Sequence, residues 1–152
     1  MAITPEQCKG MQILAGFEYE QVEKFIAGCS SEEFAAGKVL IRQDDPNDGK
    51  FYVVMSGAVE VLKNTRKGEE LSARLARGEI FGEMGVFTDD KRMATIRATE
   101  ATSCLVLTRD SYRQLRQSDP ALALRFTENL LNVYFSRFRA VSSKAETASF
   151  WL

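Results

Sequence analysis

The sequence contains no histidine. That excludes histidine general bases, Ser-His and Cys-His nucleophilic pairs, His-ligated haem and metal sites built from imidazole. Cysteine is scarce. Cys8, Cys29 and Cys104 are odd in number and widely spaced, so they form neither a metal-ligand motif nor a redox pair and read as buried, inert thiols. No sign of charge dominates: 20 Lys and Arg against 21 Asp and Glu leave a net charge of −1, which gives no strongly basic surface for nucleic acid. No apolar run approaches a membrane span. Residues 1–7 lack the charged-then-apolar order of a secretory signal, so cytoplasm is the expected compartment. What remains is a 152-residue chain, 45% apolar and 27% charged. Those values suit one globular domain with a real core.

The pattern along the chain is helical, then stranded, then helical. Thr4, Pro5 and Gln7 read as a capped helix start. A second helix is expected over 18–27, with Val22, Phe25, Ile26 and Cys29 at helical spacing. Short runs at 39–41, 51–55, 58–62, 71–75, 94–98 and 103–107 are strand candidates, rich in Val, Ile and Phe and separated by Gly37, Gly57, Gly78 and the turn 44–49. Many short strands with regular turns predict a mainly β fold, an antiparallel jelly-roll barrel flanked by helices. One piece, between Gly78 and Ala94, interrupts the roll and reads as its only non-strand part. The expected division is 1–30 for N-terminal helices, 31–108 for the β-roll with its segment 78–94, and 109–145 for C-terminal helices, together one domain over 1–152.

The C-terminal part predicts a short helix over 109–117 and a long one capped by Asp119 with Pro120 in its first turn. The long helix carries two apolar stripes. Leu122, Phe126, Leu130 and Val133 form one. Leu124, Thr127, Leu131, Tyr134, Phe138 and Val141 form the other, spaced like a coiled-coil seam. One face can lie on the barrel, and the other predicts a homodimer through this helix. The alternative is one wide face on a monomer. Ser142 to Ser149 is small and polar, and Phe150-Trp151-Leu152 is an apolar tip whose role the sequence leaves open.

The chemistry concentrates in Phe81-Gly82-Glu83-Met84-Gly85-Val86-Phe87, with Arg92 following. Backbone N–H groups at a one-turn helix attract an anion. Arg92 supplies a planar fork of donors. Glu83 would repel a bare phosphate ester, so the ligand must offer it hydroxyls. A molecule with both a phosphate and a sugar hydroxyl fits, and a nucleotide is the obvious case. Asp89-Asp90, two adjacent carboxylates without further ligands, makes a poor metal cage.

With the order of elements, residues 78–87 and 91–98 (Lys91-Arg92-Met93-Ala94-Thr95-Ile96-Arg97-Ala98) resemble a cyclic-nucleotide-binding domain, of the kind found in the bacterial catabolite activator protein and in the regulatory subunit of cyclic-AMP-dependent protein kinase. The resemblance covers roughly 12–141 and extends to Gly37, Ser56-Gly57, Val59 and Val61. It implies that Glu83 accepts the ribose 2′-hydroxyl. It implies that N–H groups of Gly82 and Met84, with that of Met93 or Ala94, face the cyclic phosphate, and that Arg92 is its countercharge. Phe81 and Gly85 complete the motif. Val61 and Ser72 would wall the purine. Tyr134 or Arg137 would cap it by stacking, from this chain or a partner. Met93 stands where guanine-preferring members carry Ser or Thr, which favours cyclic AMP over cyclic GMP. Asp44 stands at a turn position often held by Gly, and Asp tolerates the left-handed conformation.

The resemblance thus implies a non-enzymatic sensor that binds cyclic AMP, less readily cyclic GMP, needs no cofactor and relays binding through its C-terminal helix to an effector protein. The alternative is a degenerate module that serves as a dimerising or docking platform. A metal-dependent enzyme of the related jelly-roll class is disfavoured by the missing imidazoles. About eleven residues follow Val141, too few for a helix-turn-helix. The expectation is therefore a free-standing domain without its own DNA-binding part.

Overall fold

The computed structural model describes residues 2–145, with side chains to residue 140. Single 3₁₀ turns at Pro5–Cys8 and Gln12–Leu14 precede helix α1 (Tyr19–Ala27). Eight strands follow: β1 (Ser30–Phe34), β2 (Val39–Ile41), β3 (Lys50–Ser56), β4 (Ala58–Thr65), β5 (Gly68–Ala76), β6 (Ile80–Phe81), β7 (Thr95–Ala98) and β8 (Thr102–Thr108). Helix α2 (Met84–Phe87) lies between β6 and β7, and α3 (Arg109–Ser118) and α4 (Pro120–Ala145) close the described chain.

The strands form two four-stranded antiparallel sheets, ordered β1-β8-β3-β6 and β2-β7-β4-β5. Their inner faces meet in one core: Tyr52, Val54, Phe81, Cys104 and Val106 from the first sheet against Ile41, Val59, Leu75 and Ile96 from the second. The outer face of the first sheet carries the helices. Phe51, Val53, Leu105 and Leu107 pack there with Phe25, Leu122, Phe126 and Leu130. Strands β3 and β8 are thus buried on both faces, and their sequences read as unbroken apolar runs for that reason. Phe126 sits at the centre, its ring 5.1 Å from that of Phe25 and 5.6 Å from that of Phe51.

The jelly roll with flanking helices agrees with the sequence expectation, and two strands depart from it. Strand β1, Ser-Ser-Glu-Glu-Phe, has no apolar alternation. It is an edge strand paired only to β8, where charged residues are tolerated and protective. Strand β6 has two residues. It shows that the segment between Gly78 and Ala94 is not free of strand: Ile80 and Phe81 pair with Val53 and Tyr52 before α2 begins. The helix expected from Thr4 shortens to one 3₁₀ turn, although its box forms, with the Thr4 N–H donating to Gln7 Oε1 at 2.8 Å. Asp44 does take the left-handed conformation, with φ +69°.

Helix α4 buries Leu122, Phe126, Leu130 and Val133 as expected, and Asp119 Oδ1 accepts from the Leu122 N–H. Of its second stripe, Leu124, Leu131 and Tyr134 are exposed, as is Phe135 beside them. Thr127 instead hydrogen-bonds the Tyr112 hydroxyl at 2.6 Å and the Ala123 carbonyl, and Tyr134 leans towards Glu83. The side chain of Val141 and the tip Phe150-Trp151-Leu152 lie outside the described residues. The helix is tied to the N-terminal segment by buried Asn129, whose Nδ2 donates to the Ile13 carbonyl at 3.0 Å and the Ala15 carbonyl at 2.9 Å. Among the described residues no helix is long and apolar enough to cross a membrane.

Candidate functional site

A cavity of about 570 Å³ opens between β4, β5, the segment 79–96 and α4. All twelve residues named from the sequence line it: Val61, Ser72, Phe81, Gly82, Glu83, Met84, Gly85, Arg92, Met93, Ala94, Tyr134 and Arg137. The strands bring Val61 and Ser72 to one wall, together with Ile41, Leu75 and Ile96, which the sequence reading missed. These three are core-type residues with no signal to set them apart from other strand positions. Lys63, Arg74 and Lys91 add cations to the lining, and Glu79 and Asp90 add acids.

Two of the lining charges are buried: Glu83 and Arg92, each 8% exposed. Charged side chains are rarely so enclosed without partners or a function. Arg92 Nη1 donates to the Gly82 carbonyl at 3.2 Å, and Nη2 donates to the Lys50 carbonyl at 3.0 Å and to Asp48 Oδ1 at 2.5 Å. Asp48 was read from sequence only as a turn residue; it reaches Arg92 across 44 positions, a pairing no local pattern announces. Arg92 also lines a second cavity of about 200 Å³ with Asp48 and Asp45. Its backbone is fixed as well: the Arg92 N–H donates to the Asp45 carbonyl, and its carbonyl accepts from the Asp44 N–H.

Glycine makes this approach possible at two places. Gly82 has φ +73°, a left-handed turn that opens α2. A Cβ on Gly85 would lie 2.9 Å from each of Arg92 Nη1, Asn47 Oδ1 and the Lys50 carbonyl oxygen. A larger residue there would hold the guanidinium off the helix.

Glu83 precedes α2 but makes no capping bond to it. Its carboxylate turns to α4, where Arg137 Nη1 donates to Oε1 at 3.2 Å and Arg137 Nη2 donates to the Ile80 carbonyl at 2.5 Å. The guanidinium expected to stack on a base is therefore engaged by Glu83, and it comes from the same chain. The Tyr134 hydroxyl faces the same carboxylate. Burial first, then the charge of Glu83 and a hydrogen bond to it, push that phenol well above its ordinary pKa. Met93, 57% exposed, stands at the rim. The arrangement offers a buried guanidinium for an anion, a carboxylate for hydroxyls 54 positions from its arginine partner, and apolar walls for a planar ring. Among the described residues no cluster of three or more His, Cys, Asp or Glu could hold a metal ion.

Comparison with known proteins finds relatives of one family. The sequence model of the cyclic nucleotide-binding domain matches residues 31–119, more than half of the chain. The chain is 35% identical over 104 residues to a cAMP-dependent protein kinase regulatory subunit of Blastocladiella emersonii, covering 68% of this chain and 26% of that protein. It is 29% identical over 143 residues to the cyclic AMP receptor protein of Thermus thermophilus, covering 93% of this chain and 64% of that protein. The crystal structure of a cyclic nucleotide-binding domain from Methylobacillus flagellatus superposes with a TM-score of 0.83 at 26% identity, covering 92% of this chain and 79% of the other. The chain thus spans about a quarter of the first of these relatives and less than two thirds of the second.

Proposed function

We propose, because the chain belongs to the cyclic nucleotide-binding domain family, that its 570 Å³ cavity takes cyclic AMP and that the chain is a non-enzymatic sensor. The observation that carries this reading is the placement of two buried opposite charges, Glu83 and Arg92, on one cavity with apolar walls. Arg92 is the countercharge of the cyclic phosphate, joined by N–H groups of Gly82, Met84 and Met93 or Ala94. Glu83 takes the ribose 2′-hydroxyl, and Arg137 holds its carboxylate in place. The purine lies against the wall of Val61 and Ser72, with Tyr134 over it. Met93 offers no hydroxyl to a guanine, which favours cyclic AMP over cyclic GMP.

The relay runs through α4. That helix carries Arg137 and Tyr134 to the cavity, so a ligand that engages Glu83 changes what holds the helix. A ligand signals only through its different affinity for the two helix arrangements. The exposed Leu124, Leu131 and Phe135 of α4 suit a homodimer across that helix, and the output passes to an effector protein.

Thermal denaturation with cyclic AMP, cyclic GMP and unphosphorylated adenosine tests the reading. Cyclic AMP at one hundred times its Kd adds about 2.7 kcal/mol of stability, and adenosine gives no comparable shift. Arg92→Ala removes a charge-assisted contact of about 1.5–3 kcal/mol and weakens binding roughly tenfold to more than a hundredfold. Glu83→Ala also weakens the response while the chain stays folded. No shift with either cyclic nucleotide would leave the fold as a dimerising or docking platform.

A further inference from the structure

Arg109 does not line the cavity, yet it makes the densest set of contacts to the segment beneath it. It is the first residue of α3. Its Nε and Nη2 donate to the Gly85 carbonyl at 3.2 and 2.9 Å, Nη2 also donates to the Thr88 carbonyl, and Nη1 pairs with Asp89 Oδ1 at 2.5 Å. Its own N–H donates to the Gly49 carbonyl at 2.8 Å. The carbonyls at a helix end have no intrahelical donors and carry the negative end of the helix. Arg109 answers two carbonyls there, those of Gly85 and Thr88, the second shared with Asn47 Nδ2, and only Arg has a fork that reaches two carbonyls and a carboxylate together.

The two arginines therefore hold α2 from opposite ends. Arg92 lies on the Gly82 carbonyl at its start, and Arg109 holds Gly85 and Thr88 at its middle and end. Both also rest on one loop: Arg92 through Asp48 and Lys50, Arg109 through Gly49. Arg92 belongs to the ligand side. Arg109 belongs to α3, whose Tyr112 is bonded to Thr127 of α4 and whose end runs through Asp119 into that helix. A displacement of α2 reaches α3 through Arg109, through buried Val86 in the core it shares with Tyr112 and Leu115, and through the Phe87–Tyr112 ring contact (5.1 Å between centroids); of these only the arginine's hydrogen bonds are directional.

We infer that Arg109 is a positioning residue that couples the ligand segment to α3 and the first half of α4, none of which lines the cavity, so that without its fork the cavity still takes ligand but residues 109–128 no longer answer. This rests on the cyclic-nucleotide reading above. Loss of a purely structural salt bridge would lower stability evenly and leave the response of 109–128 to ligand intact. The coupling reading separates the two.

The test is amide hydrogen exchange on the full chain with and without saturating cyclic AMP, for wild type, Arg109→Gln and Arg109→Lys. In wild type, ligand slows exchange both in 82–94 and in 109–128. In Arg109→Gln the slowing over 82–94 persists, and that over 109–128 falls about fivefold or more, the lower end of measured couplings between sites. Arg109→Lys keeps the charge and the fold but cannot span three acceptors, and it shows the same loss in weaker form. A response over 109–128 equal to wild type in Arg109→Lys, or in a folded Arg109→Gln, or no such response in wild type protected over 82–94, overturns the coupling alone. A wild-type chain protected in neither segment overturns the ligand reading and this inference with it.

Discussion

Arg92 lies across a face of α2 that Gly82 and Gly85 leave bare, and most of the site's chemistry follows from that contact. The residue is 8% exposed, and three oxygens accept hydrogen bonds from its guanidinium. Asp48 is more than half exposed, so the pair itself adds little stability; its effect is orientation. Gly85→Ala tests the approach directly. The new Cβ collides at 2.9 Å with Arg92 Nη1 and with the Lys50 carbonyl oxygen, and overpacking of this kind costs about 1–3 kcal/mol. Calorimetry should show affinity for cyclic AMP lowered by a factor of at least about ten, with the circular-dichroism spectrum unchanged. Unaltered affinity would mean that Arg92 does not need this seat. Cys104 gives a second prediction at this scale. It is 0% exposed inside the roll, and burial, aided by Glu32, raises its thiol pKa to about 12. The folded chain therefore keeps its proton where the unfolded chain, with an ordinary value of 9.0, loses it. The contribution to stability is complete below pH 9 and is lost as pH rises from there towards 12. A thiol reagent at pH 8 should modify Cys104 only as fast as the protein unfolds; rapid labelling of the native chain would contradict this.

At the scale of elements, the sequence was readable where one rule governed a whole segment. Period and caps located α1, α3 and α4, and β-branched runs between turns located six strands. Strand β1 was hidden because its edge position accepts Ser and Glu, and β6 because two residues carry no period. The site followed the same division. Glu83, Gly85 and Arg92 sit in a contiguous motif and could be named. Asp48, Arg109 and Asn129 act across 44, 24 and 116 positions, and each looks locally like an ordinary turn or helix residue. Helix α4 shows a limit of periodicity: its second stripe was read as one seam, while Thr127 and Tyr134 are drawn to Tyr112 and Glu83. Leu124, Leu131 and Phe135 remain as a narrower exposed face. If that face joins two chains, mass measured by light scattering is that of a dimer, and Leu131→Asp halves it without lowering the melting temperature of the roll. A wild-type monomer at high concentration removes the dimer.

On the scale of the whole molecule, one physical arrangement recurs. The roll holds its two sheets around an inner core, and the helices cover the outer face of one sheet through Phe25, Phe51 and Phe126. The site lies where roll and α4 meet, so its two charges have partners on different elements: Arg92 on the 44–50 loop and Glu83 on α4. A ligand that bridges them must act on both. The proposed sensor role rests on that placement.

The most direct measurement is a crystal structure of this chain with cyclic AMP. The account predicts the cyclic phosphate within hydrogen-bonding distance of the Arg92 guanidinium and the amides around α2, with the ribose 2′-hydroxyl on Glu83. A nucleotide bound elsewhere, with Arg92 turned to solvent and the cavity filled by protein side chains, would contradict it.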